Sequence, residues 1–309
     1  MIVTLTPNTA TDHTLFIPQW EAGKTVRATA SLWSMGGKAT DASYILGELG
    51  LPSLALGFAA GSTGDRVRAM MESKGVTVDF TAVGGESRVN TIIIDAATGA
   101  QTTITTNTLE ITPAQVEALT HRLVAVLEDA DCLILGGTLP PGLAPGQFAA
   151  WIDLARDYGV PVIFDASGPY LRAGIVARPT YIKPNRDELG ELLGRPIHTL
   201  DDALQGGREV LDRYGTAPII SLGSEGGLAV LPDKAYRVPP LPIEVVSAAG
   251  AGDGVLAGLA ASVFRRQPIE DGLRLGFACA AAVCLMPGTA ECQREDVYSL
   301  VSQIALVPV

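Results

Sequence analysis

The run Gly250-Ala251-Gly252-Asp253-Gly254 sets small residues and one carboxylate at the head of an apolar, alanine-rich segment, Val255 to Phe264. Glycine lets backbone N–H groups approach an anion closely, and a helix starting just after them adds the positive end of its dipole. Phosphate oxygens repel a carboxylate. An acid at Asp253 is therefore expected to take a proton from a nucleophile attacking a phosphoryl group. A plain glycine turn whose Asp caps the helix would read the same locally.

Such a loop needs strands and helices to hold it. From about Leu109 onward the pattern alternates helix and strand. Thr112-Pro113 opens a helical period through Val126, and Asp131 to Leu135 reads as a buried strand. A helix over Gly146–Tyr158, a strand over Val160–Asp165 and a strand end at Tyr181-Ile182-Lys183 follow. Two helices, Asp187–Leu193 and Leu200–Tyr214, precede the strand Ala217–Leu222. That spacing predicts a mostly parallel sheet covered on both faces. Earlier, Ala39–Leu49 and Gly64–Lys74 read as helices, whereas Thr11–Ser34 and Asp79–Thr106 show short Thr/Val/Ile segments broken by glycine turns. These two excursions are expected to form one small antiparallel lid on a single domain spanning 1–309, with lid strands within 11–35 and 79–108. Polar clusters fall at strand carboxyl ends, where open α/β sheets bind ligands: Pro7-Asn8, Gly136-Gly137-Thr138, Asp165 to Gly168, Lys183-Pro184-Asn185 and Ser221 to Ser224.

Bulk properties narrow the class. The chain has 309 residues, 47% of them hydrophobic, and a net charge of −11. That charge argues against nucleic acid, which needs a basic face, but not against a small phosphorylated substrate held by a few focused cations. No apolar run is long enough to span a bilayer, and the N-terminus lacks the basic and apolar regions of a secretory leader. Cys132, Cys279, Cys284 and Cys292 form no CxxC pair. Reduced thiols, a cytoplasmic location and no membrane are expected. His13, His121 and His198 have no metal-ligand spacing and read as non-catalytic.

Taken together, these segments resemble the PfkB family of carbohydrate kinases, across essentially the whole chain. Ala249 to Gly254 is similar to that family's C-terminal signature, and Lys183-Pro184-Asn185-Arg186-Asp187-Glu188-Leu189 to its KPNxxEL segment. Ser221-Leu222-Gly223-Ser224-Glu225-Gly226-Gly227 resembles its nucleotide loop, and Gly36-Gly37-Lys38 its N-terminal signature. The hexose-phosphate branch (6-phosphofructokinase-2, 1-phosphofructokinase, tagatose-6-phosphate kinase) looks closest. Thr4 to Pro7 with Asp12, Gly23 to Arg27, Arg88 with Asn90, Gly137 to Gly142 and Gly288-Thr289 carry that likeness.

The resemblance implies a ribokinase-like three-layer α/β/α core and phosphoryl transfer from ATP to a sugar hydroxyl. It also implies a lid that forms a homodimer interface. Asp253 would be the general base, with the amides of Gly250, Ala251 and Gly252 stabilising the transferred phosphoryl. Asp12, Gly36, Gly37, Lys38, Asp41, Asn90 and Thr138 would face the sugar, while Lys24, Arg27 and Arg88 (with Lys38) would hold a phosphate already on it. Lys183, Asn185, Ser221, Gly223 and Gly226 would meet the nucleotide. Asn185 and Glu188 would position Mg²⁺ through water, although an Asn N-cap followed by a capping-box Glu has the same spacing. K⁺ is a further expected cation.

The chain also departs from the branch. Ala39 stands where glycine is usual, Asp41 replaces a neutral amide, and Ser247-Ala248 precede the anion loop in place of Asp-Thr. These departures leave the phosphoryl-transfer reading intact and bear on which sugar is accepted, so a kinase of an unphosphorylated sugar or nucleoside is the alternative. A sugar-binding regulator would be expected to have lost the base or the loop, and both are present. No GxGxxG follows the first strand and there is no GxxxxGKS loop, which argues against a dinucleotide dehydrogenase or a P-loop enzyme.

Overall fold

The computed structural model describes residues 1–309. The chain opens with β1 (Ile2–Thr6), the hairpin β2 (Ala10–Ile17) and β3 (Ala30–Gly36), then α1 (Lys38–Glu48), β4 (Ser53–Ala59), α2 (Gly61–Ser73) and β5 (Thr77–Ala82). The short β6 (Gly84–Gly85) leads into a second hairpin, β7 (Arg88–Asp95) and β8 (Gln101–Ile104), and β9 (Leu109–Glu110) pairs back onto β6. Helices and strands then alternate: α3 (Pro113–Leu127), β10 (Cys132–Gly136), α4 (Gly146–Asp157), β11 (Val162–Asp165), α5 (Gly168–Gly174), β12 (Tyr181–Ile182), α6 (Arg186–Leu193), α7 (Leu200–Tyr214) and β13 (Ala217–Ser221). The chain finishes with β14 (Gly227–Val230), β15 (Ala235–Val238), α8 (Ala251–Phe264), α9 (Ile269–Cys284), α10 (Arg294–Val301) and β16 (Val307–Pro308).

The large sheet runs β16-β15-β14-β13-β12-β11-β10-β1-β4-β5 and is parallel from β5 through β13. Side chains alternate across a strand, so each strand feeds both faces. Val3, Leu133, Leu135, Val162 and Phe164 pack with α3, α4 and α7, while Ile2, Cys132, Ile134 and Ile163 pack with α1, α8 and α9. The two cores contain 34 and 33 buried residues, so both faces are covered equally. This is the three-layer α/β/α fold, and it explains why the strands read as unbroken apolar runs. Capping boxes at Thr112 and Asn185 start α3 and α6 where the sequence signals place them, and a third at Thr199 starts α7.

One expectation needs revision, and another gains detail. Residues Asp79–Ala82 belong to β5, the edge of the large sheet, and not to the lid. The small sheet, ordered β3-β2-β7-β8, consists of two antiparallel hairpins joined through a parallel β2–β7 pairing. Both hairpins leave the core in the same direction, so their inner strands meet in parallel.

Candidate active site

The strand order reverses about β1, whose neighbours are β4 and β10. In an open α/β sheet a crevice forms at that point, beyond the strand carboxyl ends. Asn8 follows β1 there, donating through Nδ2 to Thr138 Oγ1 at 3.2 Å. Asp165 ends β11 and Lys183 follows β12.

The N-terminus of α8 faces the same crevice. Gly250 has φ 79°, and a Cβ on it would stand 2.4 Å from the Ala290 nitrogen, so only glycine fits. The Ala251 N–H turns back onto the Ala248 carbonyl at 3.3 Å. Of the three expected anion donors, Ala251 is therefore already engaged, leaving the amides of Gly250 and Gly252. A Cβ on Gly252 would lie 2.9 Å from Lys183 Nζ, so that ammonium sits against the loop. Close packing of α8 on α9, where Gly258 lies against Gly276, fixes the helix that carries Asp253.

Asp165 organises the cations. It is 1% exposed and pairs with Lys38 Nζ at 2.9 Å and Lys183 Nζ at 3.2 Å. Burial alone would raise its carboxyl, but the two ammonium groups overcome that and hold it below the usual carboxylate range. Lys38 also feels burial, outweighed by Asp165, Asp253 and Glu188, and is held above its ordinary value. Asp253 is buried, which raises its carboxyl to about 7 even though Lys38 and Lys183 oppose the shift. Asp41, buried one helical turn after Lys38, is raised well above the usual range by burial, by Asp253 and by Asp12.

A second cluster lies on the small sheet. Asp12 accepts from Asn90 Nδ2 at 2.7 Å and from Thr289 Oγ1 at 2.6 Å. A Cβ on Gly36 would stand 2.4 Å from Asp12 Oδ1, so glycine is what lets the carboxylate approach the backbone. Burial raises Asp12 against the opposing pull of Thr289, Asn90 and Arg88. Arg88 is 9% exposed, its Nε has no partner, and the Asn90 Oδ1 beside it is also unpartnered. A buried polar group without a partner is costly, so these atoms mark where ligand oxygens would be received.

The structure does not bring every expected residue together. Lys24 is exposed and ion-paired with Glu21, and Arg27 is exposed; neither bonds to any cleft residue, because the connection from Ile17 to Ala30 projects outward. Asn185 and Glu188 form a capping box, the Asn side chain accepting from the Glu188 N–H and the Glu carboxylate from the Asn185 N–H. Ser221 is bridged to Asn185, and the Gly223–Glu225 turn closes with Leu222 N–H on the Gly226 carbonyl at 2.9 Å. That sets the expected nucleotide loop beside Lys183. His13 stacks on Trp33, with ring centroids 4.2 Å apart, away from these carboxyls.

Sequence reasoning did not assign Asp165 or Thr289 a role. The signal for Asp165 was its place at a strand carboxyl end. Thr289 stood out only within the Gly288-Thr289 likeness, which says nothing of its contact with Asp12, 277 residues away. No group of three His, Cys, Asp or Glu side chains converges as a metal cage. A divalent ion that keeps its water shell and rides on substrate phosphates does not require one. Glu188 has a second carboxylate oxygen outside its capping bond, able to meet the water shell of such an ion.

Comparison with known proteins agrees with this geometry. The chain is 33% identical over 300 residues to a 1-phosphofructokinase of Haloferax volcanii, covering 97% of this chain and 96% of that protein. A Vibrio cholerae 1-phosphofructokinase is 31% identical over 98% of this chain and 95% of its own length. Phosphofructokinase-2 of Escherichia coli, solved in complex with potassium, superposes with a TM-score of 0.90 at 25% identity, covering 98% of both chains. Residues 9–296 match the pfkB family carbohydrate kinases as a whole. With the glycine loop, the carboxyl beside it and the ribokinase-like core in one crevice, the chain belongs to the pfkB family and is an ATP-dependent carbohydrate kinase.

Proposed function

We propose that this kinase phosphorylates a ketohexose phosphate, fructose 1-phosphate being the acceptor favoured by its similarity to proteins named 1-phosphofructokinase. The carrying observation is Arg88: a buried guanidinium with an unpartnered Nε, beside Asp12 and Asn90. An arginine fork matches phosphate oxygens bidentately, whereas a free sugar offers no such group.

In this reading Asp253 takes the proton of the attacking hydroxyl, an effect worth roughly 10²–10⁴ in rate. Asp12 accepts from neighbouring sugar hydroxyls, with Asn90 and Thr289 fixing its orientation. The amides of Gly250 and Gly252, with Lys183 against them, face the transferred phosphoryl. Asp165 keeps both lysine ammonium groups aimed into the cleft. Mg²⁺ carried on ATP neutralises phosphate charge, and Asn185 and Glu188 are the residues that would hold it through water. The potassium complex of the Escherichia coli enzyme supports the expected K⁺. The homodimer expected through the small sheet is supported by Ile104 and Trp33, which are exposed on it. Four free thiols, three of them buried, favour the cytoplasm.

The test is an ADP-release assay with Mg²⁺-ATP against fructose 1-phosphate, fructose 6-phosphate, tagatose 6-phosphate, free sugars and nucleosides. Turnover with a sugar phosphate, and a KM raised selectively for it by Arg88→Ala, is the expected result. Turnover restricted to unphosphorylated acceptors would overturn the Arg88 assignment.

A further inference from the structure

Three consecutive residues after α9 touch both halves of the cleft. Thr289 donates its N–H to Ser34 Oγ at 3.0 Å and its hydroxyl to Asp12 Oδ2 at 2.6 Å. Ser34 on β3 and Asp12 on β2 are directly paired, so one residue grips both strands on the same face of the small sheet. Gly288 lies flush against β3, where a Cβ would stand 3.2 Å from Ser34 Cβ and from Leu32 Cδ2. Ala290 faces the anion loop: its N–H donates to the Ala249 carbonyl at 3.3 Å, and Gly250 packs against its nitrogen. The residues before that loop are tied in the same way, since the N–H groups of Val246 and Ser247 both bond the Cys284 carbonyl at the end of α9. We propose that Ser34 is a positioning residue: through Thr289 it holds residues 288–290 as a tie between the acceptor's site on Asp12 and the amides that receive the transferred phosphoryl, so that each ligand strengthens binding of the other. This rests on the reading in which Asp12 meets the sugar and the amides of Gly250 and Gly252 meet the phosphoryl.

Two features make the tie exacting. Ser34 and Thr289 are 0% and 5% exposed. Removing the Ser34 oxygen leaves a buried N–H without its partner, a loss the segment relieves only by shifting. Ala290 has φ 56°, in the left-handed region that a side chain disfavours, so its conformation is imposed by its contacts and not by local preference. A displacement at Thr289 therefore passes to Ala290 and to the Gly250 that leans on it. In the other direction, an acceptor hydroxyl bonded to Asp12 fixes the carboxylate that Thr289 holds, and the segment is ordered before the nucleotide arrives.

The experiment is calorimetric titration of fructose 1-phosphate, with and without saturating Mg²⁺ and a non-hydrolysable ATP analogue, into the full chain and its Ser34→Ala and Ser34→Thr variants. In the parent the analogue should tighten sugar-phosphate binding about fivefold or more, the lower end of ordinary coupling between sites. Ser34→Ala should bring that factor to within about twofold of unity, with each ligand's separate affinity changed by less, because Ser34 touches neither. Ser34→Thr keeps the oxygen on a residue suited to a strand and should restore the factor. A structural defect alone lowers the melting temperature or the fraction that binds, and leaves the factor unchanged in the molecules that do bind. No coupling in the parent, or coupling retained in Ser34→Ala, overturns the proposal. Loss in Ser34→Thr equal to that in Ser34→Ala would assign the effect to side-chain volume and overturns it too. Failure of the parent to bind fructose 1-phosphate refutes the acceptor and not the tie, which is then titrated with the sugar that ADP release identifies.

Discussion

Removing the charge from Asp253 should make the protein more stable while making it inactive. Its carboxyl is raised from an ordinary 3.8 to about 7, chiefly by burial. Between those values the folded state holds a proton that the unfolded chain has released, so stability falls as pH rises from about 4 to about 7 and levels off above. About three pH units at ~1.4 kcal/mol each amount to roughly 4 kcal/mol of destabilisation at pH 8. Asp253→Asn is neutral at every pH and escapes it. For 309 residues, at about 2.1 cal/mol/K each, the unfolding entropy near Tm is roughly 0.65 kcal/mol/K. The variant should therefore melt about 6 °C above the parent at pH 8 and within about a degree of it at pH 4. Calorimetry across pH 4–9, paired with ADP release, measures both effects. A lower Tm for Asp253→Asn at pH 8 would refute the reasoning, since it would mean that Lys38 and Lys183 stabilise the carboxylate by more than burial costs it.

Three other perturbations test the frame around Asp253. Asp165→Asn leaves Lys183 buried without its counterion, and breaking such a pair costs about 3–5 kcal/mol; Lys38, a third exposed, adds little. Because the Asp165 carboxyl is held below its unfolded value, its contribution is present above about pH 4 and lost as pH falls through the folded value, so the Tm deficit should be constant from pH 8 to 5. Gly250→Ala forces a side chain into φ 79° and against the Ala290 nitrogen, costing at least about 1–3 kcal/mol; thermal melts should show the loss, and turnover should fall with it. Chelating the divalent ion should abolish ADP formation yet leave the melting curve of the nucleotide-free protein unchanged, since no group of acidic, histidine or cysteine side chains forms a metal cage.

Much of this was legible in one dimension. Strands such as Cys132–Gly136 are apolar on both faces because both faces are covered, and Thr112, Asn185 and Thr199 announce their helices. The anion loop could be read because its chemistry is local: glycine conformation, a helix start and one acid within five residues. Relationships across the chain could not. Thr289 meets Asp12, and Lys38 meets Asp165, only because β2, α1, β11 and the segment after α9 converge. Lys24 and Arg27 show the converse. Their residue type suits phosphate, but a loop leaving the core carries them into solvent. The parallel β2–β7 pairing was equally hidden, since strand period fixes which face a residue takes and not which neighbour the strand chooses.

The charge inventory of the cleft bears on which acceptor it can take. Asp12, Asp41, Asp165 and Asp253 face Lys38, Arg88 and Lys183. Glu188 also lies within reach of Lys38, so these carboxyl groups outnumber the cations, and burial with neighbouring acids raises Asp41 and Asp253 toward their neutral forms. With both ionised, the excess charge would sit beside the loop that must receive phosphate, at a distance where low dielectric makes repulsion costly. Two of the cations are committed to Asp165, which leaves Arg88, with its unpartnered Nε, able to take on a further anion. A nucleotide triphosphate can enter such a site only with most of its charge neutralised by a divalent ion. In the proposed reading, the acceptor's phosphate then has one guanidinium to bind, and its reacting hydroxyl meets the carboxyl of Asp253.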